Sequence, residues 1–256
     1  MYNITPKTLF IGRKVIFLPT CHSTNDTASS LLREAAVPEG TLVVTDYQTA
    51  GRGQRGNHWE ADAGKNLVLS LVLKPVFIKA SEQFGLSVAI SLGIHEFLAG
   101  YFPEEDITIK WPNDHYHKDR KIAGVLVENT LNKHTLESSI VGIGVNVNQT
   151  RFVENKAVSM RMATQERSGE FDLAVLLTEL AQHLESNYLQ LRTKGPESLK
   201  ERYLLRLYGY QQERTFSQQG RLFRGRIVGV DAIGRLQVAE GPAIHAFGLK
   251  EIQFLG

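Results

Sequence analysis

The stretch GRGQRGNHW, residues 51–59, sets Gly51, Gly53 and Gly56 in a G-x-G-x-x-G frame with Arg52 and Arg55 between them. A dinucleotide-binding turn of that spacing needs a strand before it, a helix opening at it, and an acidic residue about 20 positions later. The strand is there. The helix is not, because NHWEADAGKN is polar, contains Gly64 and leads into another strand, and the later position holds Lys74 and Pro75. The stretch reads instead as a loop whose backbone N–H groups and guanidinium groups surround an anion. Glycine lets the main chain approach closely, and arginine offers a fixed fork of donors to carboxylate or phosphate. Two arginines in one loop repel until an anion arrives, so ordering on binding is expected. A solvated turn with incidental arginines is the competing reading.

Four other stretches carry residues of comparable interest. KWPND (110–114) places a cation, an amide and a carboxylate within five residues, and Pro112 disfavours a helical Trp111. RKIAG (120–124) starts a strand with Lys121 and leaves room beside it at Gly124. GIGVN (142–146) puts two glycines in an apolar strand, where glycine marks close approach by a ligand or another backbone. CHSTND (21–26) gathers hydroxyls and an amide at a helix start, where helix capping alone would explain them.

The elements that position these stretches follow from pattern. TASSLLREAA (27–36), preceded by the capping residues Asn25 and Asp26, reads as a helix. TLVVTDY (41–47), NLVLSLVLK (66–74), ITIKW (107–111), KIAGVLVE (121–128) and SSIVGIGVNV (138–147) read as strands, the last buried on both faces. The polar PNDHYHKDR is expected to be a turn. Residues 81–102, with Ser81 as cap, and residues 171–191 and 197–209 read as helices. After Gly209, glycines punctuate short β-like runs, as in a small barrel of about five strands. A boundary at 208/209 is expected, with a mixed α+β unit at 1–208 and a small β unit at 209–256.

Composition excludes several classes. The chain has 256 residues, enough for a proper core plus a small second unit. A net charge of +2 is too weak to argue for a nucleic-acid surface. One cysteine, Cys21, forbids an internal disulfide and fits a cytoplasmic setting. No apolar run reaches the roughly 18 residues of a membrane span, and no signal peptide is evident.

CHSTND, YQTAGRGQRGNHW, KWPND, RKIAGVLVE and GIGVNVN, in that order, resemble the catalytic region of biotin–protein ligases, also called biotin–[acetyl-CoA carboxylase] ligases or holocarboxylase synthetases. The resemblance implies a mixed sheet flanked by helices, as in the biotin–lipoate ligase catalytic fold, followed by a small SH3-like β-barrel. It implies ATP-dependent formation of biotinyl-5′-AMP, with Mg²⁺ accompanying ATP and no dedicated metal cage. Biotin then passes to a lysine of a biotin carboxyl carrier protein. It places the biotin ring among Ser23, Thr24, Asn25 and Gln48, with Arg52, Gly53 and Gln54 completing the pocket and Gly124 and Gly142 as flat wall. Lys121 would bridge the biotin carboxylate and the α-phosphate. Arg52 and Arg55 would hold the acyl-phosphate, Trp59 would pack on the adenine or close the loop, and Asn113 and Asn146 would meet the adenylate. Asp114 would meet the metal through water and receive or orient the carrier lysine's proton. Gln54 departs from the family's frequent GRGRRG loop, which implies a weaker hold on the adenylate. Only twenty residues precede Cys21, fewer than a winged helix-turn-helix needs, so no DNA-binding role is expected; a homodimer through sheet edges stays open.

Other residues have plainer readings. His115 and His117 are expected at the surface of their turn, and Cys21 as a small buried side chain. Lys110 faces phosphates or caps the sheet, and Trp111 is core. Arg221, Arg224 and Arg226 form a solvated strand face, with an acidic carrier or ATP as the alternative.

Overall fold

The computed structural model describes residues 4–34, 37–153, 156–164 and 169–255, apart from the side chain of Arg55. The chain runs β1 (Val15–Cys21), α1 (Thr24–Glu34), β2 (Leu42–Gln48), β3 (Leu67–Leu73), α2 (Phe84–Ala99), β4 (Ile107–Lys110), β5 (Asp114–His117), β6 (Arg120–Asn132) and β7 (Thr135–Val145). There follow α3 (Met160–Ala163), α4 (Leu173–Lys194), α5 (Glu197–Leu205), β8 (Glu213–Gln218), β9 (Arg221–Val230), β10 (Leu236–Glu240), β11 (Ala243–Phe247) and β12 (Gln253–Leu255). The first seven strands form one mixed sheet in the order β1-β2-β3-β7-β6-β5-β4. Only the β1–β2 pair, joined through α1, is parallel.

The alternation of side chains along a strand divides this sheet into a core face and a site face. On β3, Leu67, Leu69, Leu71 and Leu73 enter the main core with α2 and α4, while Val72 packs in a smaller cluster with Ala28 of α1. The same alternation sends Val141, Ile143 and Val145 of β7 into the main core. It leaves Gly142 and Gly144 facing the other way. Register then lines up the site face across three strands: Ser70 opposite Gly142 opposite Leu126, and Val68 opposite Gly144 opposite Gly124.

Three local readings are corrected. PNDHYHKDR is no simple turn, for β5 lies within it, hydrogen-bonded between β4 and β6. Its pleat turns His115 and His117 inward, so His115 is fully buried and His117 nearly so. The buried imidazole of His115 is satisfied at Nε2 by the Ser91 carbonyl of α2, at 2.9 Å, and the ring of His117 packs on Phe102. Ser81 does not cap α2. It sits in a 3₁₀ turn, Ala80–Glu82, anchored by the Ala80 N–H to the His134 carbonyl, and the α-helix starts only at Phe84. Asn25 and Asp26 do not precede α1 but lie in its first turn, with their side chains committed elsewhere. The strands β1 and β12 were not anticipated. Residues 35–36, at the end of the expected first helix, lie outside the described residues.

The last five strands form an antiparallel sheet in the order β11-β10-β9-β8-β12 around Phe216, Phe223, Ile227, Leu236, Val238 and Phe247. It meets the large sheet beside KWPND, where the Trp111 indole donates to the Gly234 carbonyl at 3.0 Å. Trp111 is thus buried, as expected, while Arg221 and Arg224 pair with Glu240 and Glu213 on an exposed strand face. Among the described residues no helix is long and apolar enough to cross a membrane.

Candidate active site

A cleft of about 720 Å³, including its open mouth, lies over the site face of the large sheet. Its floor is the pair of glycine-bearing strands. A Cβ on Gly142 would stand 2.5 Å from Asn25 Oδ1, and one on Gly144 would stand 2.3 Å from the Trp59 ring. Neither carbon fits unless the facing side chain moves.

One end of the cleft is neutral and polar. The N–H and hydroxyl of Thr24 both donate to Gln48 Oε1, at 2.8 and 3.1 Å. Ser70 Oγ lies 2.8 Å from Thr24 Oγ1 and 2.5 Å from Asn25 Oδ1. Ser23, Thr24 and Asn25 are each 3% exposed, which makes these groups costly to leave unsatisfied and selective for a ligand with matching polar atoms.

The other end is ionic. Lys121 Nζ pairs with Asp114 Oδ1 at 2.8 Å and lies 5.6 Å from the centroid of the Trp59 ring. Residues 51–59 close over the floor as a tight hairpin. In it, the Gly53 N–H bonds to the Asn57 carbonyl and the Trp59 N–H to the Gly51 carbonyl, around a 3₁₀ turn at Gln54–Gly56. Gly56 takes φ +84°, a conformation that asks for glycine. Arg52 extends from this hairpin to Asp26 Oδ1 at 2.7 Å and to both oxygens of Glu128 at 3.2 Å. The repulsion expected of the loop's arginines is thus already relieved at Arg52 by two carboxylates of the chain itself.

Most of the residues singled out in the sequence line this one cleft: Ser23, Thr24, Asn25, Gln48, Arg52, Gly53, Gln54, Trp59, Asp114, Lys121, Gly124 and Gly142. The two cations that arise from separate stretches share it. Asn113 and Asn146 do not line it. Asn113 accepts from Gln54 Nε2 at 2.7 Å and lines a neighbouring cavity with Trp111 and Gly234. Asn146 donates to the carbonyls of Lys121 and Val158, so it braces the strand that carries the lysine. The side chain of Arg55 lies outside the described residues. Lys110 does not line the cleft either; it sits over the rings of Tyr116 and Phe254, and burial lowers its pKa. Cys21 is no activated nucleophile, since burial raises its pKa against the smaller effect of hydrogen bonds from Thr45 and Thr27.

Sequence reasoning missed Ser70 and above all Glu128. Glu128 stands two and four residues beyond Leu126 and Gly124 on β6, and that parity alone was the available signal.

The biotin/lipoate A/B protein ligase family matches residues 17–146, a span that contains every residue lining the cleft. The chain belongs to this family. Among relatives, the bifunctional ligase/repressor BirA of Bacillus subtilis is 33% identical over 96% of this chain and 76% of its own length. The biotin–[acetyl-CoA-carboxylase] ligase of Mycobacterium tuberculosis is 28% identical over 68% of this chain and 65% of its own. Among solved structures, the biotin protein ligase of Aquifex aeolicus, in complex with biotin and ATP, superposes with a TM-score of 0.77 at 26% identity, covering 95% of this chain and 99% of that one. That superposition takes in both the mixed sheet and the small C-terminal β unit described here.

Proposed function

We propose that this chain joins biotin to ATP as biotinyl-5′-AMP, with loss of pyrophosphate, and transfers the biotinyl group to a lysine of a carboxyl carrier protein. The observation that carries the reading is the convergence of Lys121 and the 51–59 hairpin on one glycine-floored cleft whose far end is neutral and polar. Biotin is a neutral ureido ring with a carboxylate tail, and the cleft has that polarity. A lipoyl or octanoyl group offers no polar atoms to the remaining hydrogen-bonding capacity of Thr24, Asn25 and Gln48.

In the first step a carboxylate must approach a phosphate, and two anions repel. Lys121, with the Arg52 guanidinium on the same cleft, supplies positive charge where the acyl-phosphate forms. The carboxylate oxygen attacks the α-phosphorus and pyrophosphate leaves. Closure of residues 51–59 shields the mixed anhydride from water. In the second step the carrier lysine attacks the acyl carbon, AMP leaves, and Asp114 takes or orients the ammonium proton. Trp59, Asn113, Asn146 and Arg55 belong to the adenylate side of this reading, Asn146 through the backbone it braces and Asn113 through the Gln54 side chain it holds.

Mg²⁺ fits as the companion of ATP. Asp114 is the one carboxylate among the residues lining the cleft, it is engaged by Lys121, and among the described residues no group of three His, Cys, Asp or Glu could hold a metal. The metal would screen the triphosphate, and Asp114 would meet it through water. The same reading divides the chain into a catalytic unit at 1–208 and a small β unit at 209–256. It sets the reaction in the cytoplasm. Self-association would use a sheet edge, β1 standing at one end of the large sheet and β4 at the other.

Incubating the protein with biotin, ATP, Mg²⁺ and a biotin carrier domain, then weighing the carrier by mass spectrometry, tests the proposal. One biotinyl group is expected on the carrier with the native chain and none with Lys121→Ala. No mass gain with the native chain overturns it.

A further inference from the structure

We infer that Glu128, outside the cleft lining and outside every role assigned above, is a positioning residue that dictates which way the Asn25 amide faces the biotin ring. This rests on the reading of Asn25 as a ring contact. An asparagine amide can present either its oxygen or its nitrogen to a ligand, and a neighbour decides which. Here Glu128 Oε2 accepts from Asn25 Nδ2 at 2.7 Å, and an ionised carboxylate can only accept. The amide nitrogen is therefore held toward Glu128, and Oδ1 toward the floor, 2.5 Å from where a Cβ on Gly142 would stand. Ser70 Oγ meets that oxygen at 2.5 Å and leaves it a second lone pair. A carbonyl so placed accepts from a ureido N–H. The opposite orientation would present N–H to N–H.

The arrangement depends on Glu128 in particular. Asn25 is 3% exposed, and Glu128 is the acceptor the structure gives its amide nitrogen. Glu128 is in turn steadied by Arg52, whose NH1 and NH2 lie 3.2 Å from Oε1 and Oε2. The carboxylate thus ties the ring pocket to the base of the anion loop, and it works from strand β6, opposite Ile140, without entering the cleft.

The test compares native protein with Glu128→Gln and Glu128→Met, using biotin and a biotin methylated on a ureido nitrogen as probes in calorimetry, with steady-state pyrophosphate release alongside. Gln keeps the shape and an acceptor oxygen but admits the flipped amide. Met keeps the bulk and removes the acceptor. Biotin binding is expected to weaken by roughly threefold in the Gln variant and roughly tenfold or more in the Met variant, the scale of one buried hydrogen bond. The preference for biotin over the methylated probe narrows by the same steps, and KM for biotin rises. Asn25→Asp combined with Glu128→Gln restores a donor–acceptor pair with an acceptor at the floor, and is expected to recover the preference that Glu128→Met loses. Loss of melting temperature with an unchanged preference means a structural role only and overturns the inference. So does native-like binding of both probes by the two single variants. Failure of the native chain to bind biotin is a different result and overturns the substrate reading together with this one.

Discussion

Replacing Gly142 by Ala adds one methyl group to the floor of the cleft. Gly142 sits between Ser70 and Leu126 in paired strand backbone, so the effect is one of space. The new carbon would stand 2.5 Å from Asn25 Oδ1, 3.1 Å from its Cγ and 3.2 Å from its Nδ2. Ordinary contact begins near 3.4 Å, so the oxygen must retreat by about 0.9 Å. Asn25 has little freedom to do so, being buried and held by Ser70 at 2.5 Å and Glu128 at 2.7 Å. A displacement of that size takes at least one of these bonds out of range. Overpacking of this kind costs about 1–3 kcal/mol of stability, or roughly 2–4 °C of melting temperature per kcal/mol for a chain of this size. Loss of the ring contact weakens biotin binding by about tenfold. Gly144→Ala provides the contrast on the same strand. Its methyl would stand 2.3 Å from the Trp59 ring, but Trp59 is only half-buried and its Nε1 has no hydrogen-bond partner among the described residues, so the ring can move aside. That variant is expected to keep biotin affinity and to lose affinity for a non-hydrolysable biotinyl-adenylate analogue. Calorimetry with each ligand and thermal melts of both variants decide. A folded Gly142→Ala protein that binds biotin within twofold of the native chain would refute the placement of the ring against Asn25, and with it the argument from the polar end.

Two further perturbations follow. Gln54 Nε2 is tied to Asn113 Oδ1 and to the Val125 carbonyl, so Gln54→Arg exchanges an anchored amide for a third guanidinium in the loop. It is expected to slow biotinyl-adenylate dissociation several-fold in a filter-binding chase, and an unchanged rate counts against a weak hold set by residue 54. The second concerns His115, whose pKa burial lowers from 6.5 to about 3. Between those values the unfolded chain binds a proton that the folded chain does not, so the stability present above pH 6.5 is lost as pH falls toward 3, at up to about 1.4 kcal/mol per unit. His115→Gln, which can still donate to the Ser91 carbonyl, is expected to reduce the fall in melting temperature between pH 6.5 and 5. His95, lowered by burial in the same direction, leaves a residual slope. An identical slope in the variant and the native chain sinks this assignment.

What was legible in the sequence has a physical pattern. The glycines of GIGVN and RKIAG could be read because glycine in an apolar strand has few other reasons to be there, and the structure lines Gly124, Gly142 and Gly144 on one cleft. The loop could be read because its arginines and glycines are adjacent in the chain. β5 could not, since its alternation carries Asp114, His115, Tyr116 and His117, and polarity alone says turn. The inward His115 meets its partner, the Ser91 carbonyl of α2, 24 residues away in sequence. Glu128 was hidden for a similar reason. Its partners are Asn25 and Arg52, 103 and 76 residues distant, and only the sheet register brings them together.

Each described cation of the cleft already has carboxylate partners: Lys121 has Asp114, and Arg52 has Asp26 and Glu128. On the proposed reading, substrate binding is then an exchange of partners. Affinity for the nucleotide is the difference between two sets of ion pairs, which favours release of AMP once the acyl bond is cut. The exchange also links the two steps of the reaction. Lys121 cannot keep Asp114 at 2.8 Å and at the same time lie between the biotin carboxylate and the α-phosphate with its full charge. As the lysine turns to the acyl-phosphate, Asp114 loses its partner and is left free to accept a hydrogen bond from the incoming amine. A fixed salt bridge would serve the first step or the second. One that opens on adenylation serves them in order.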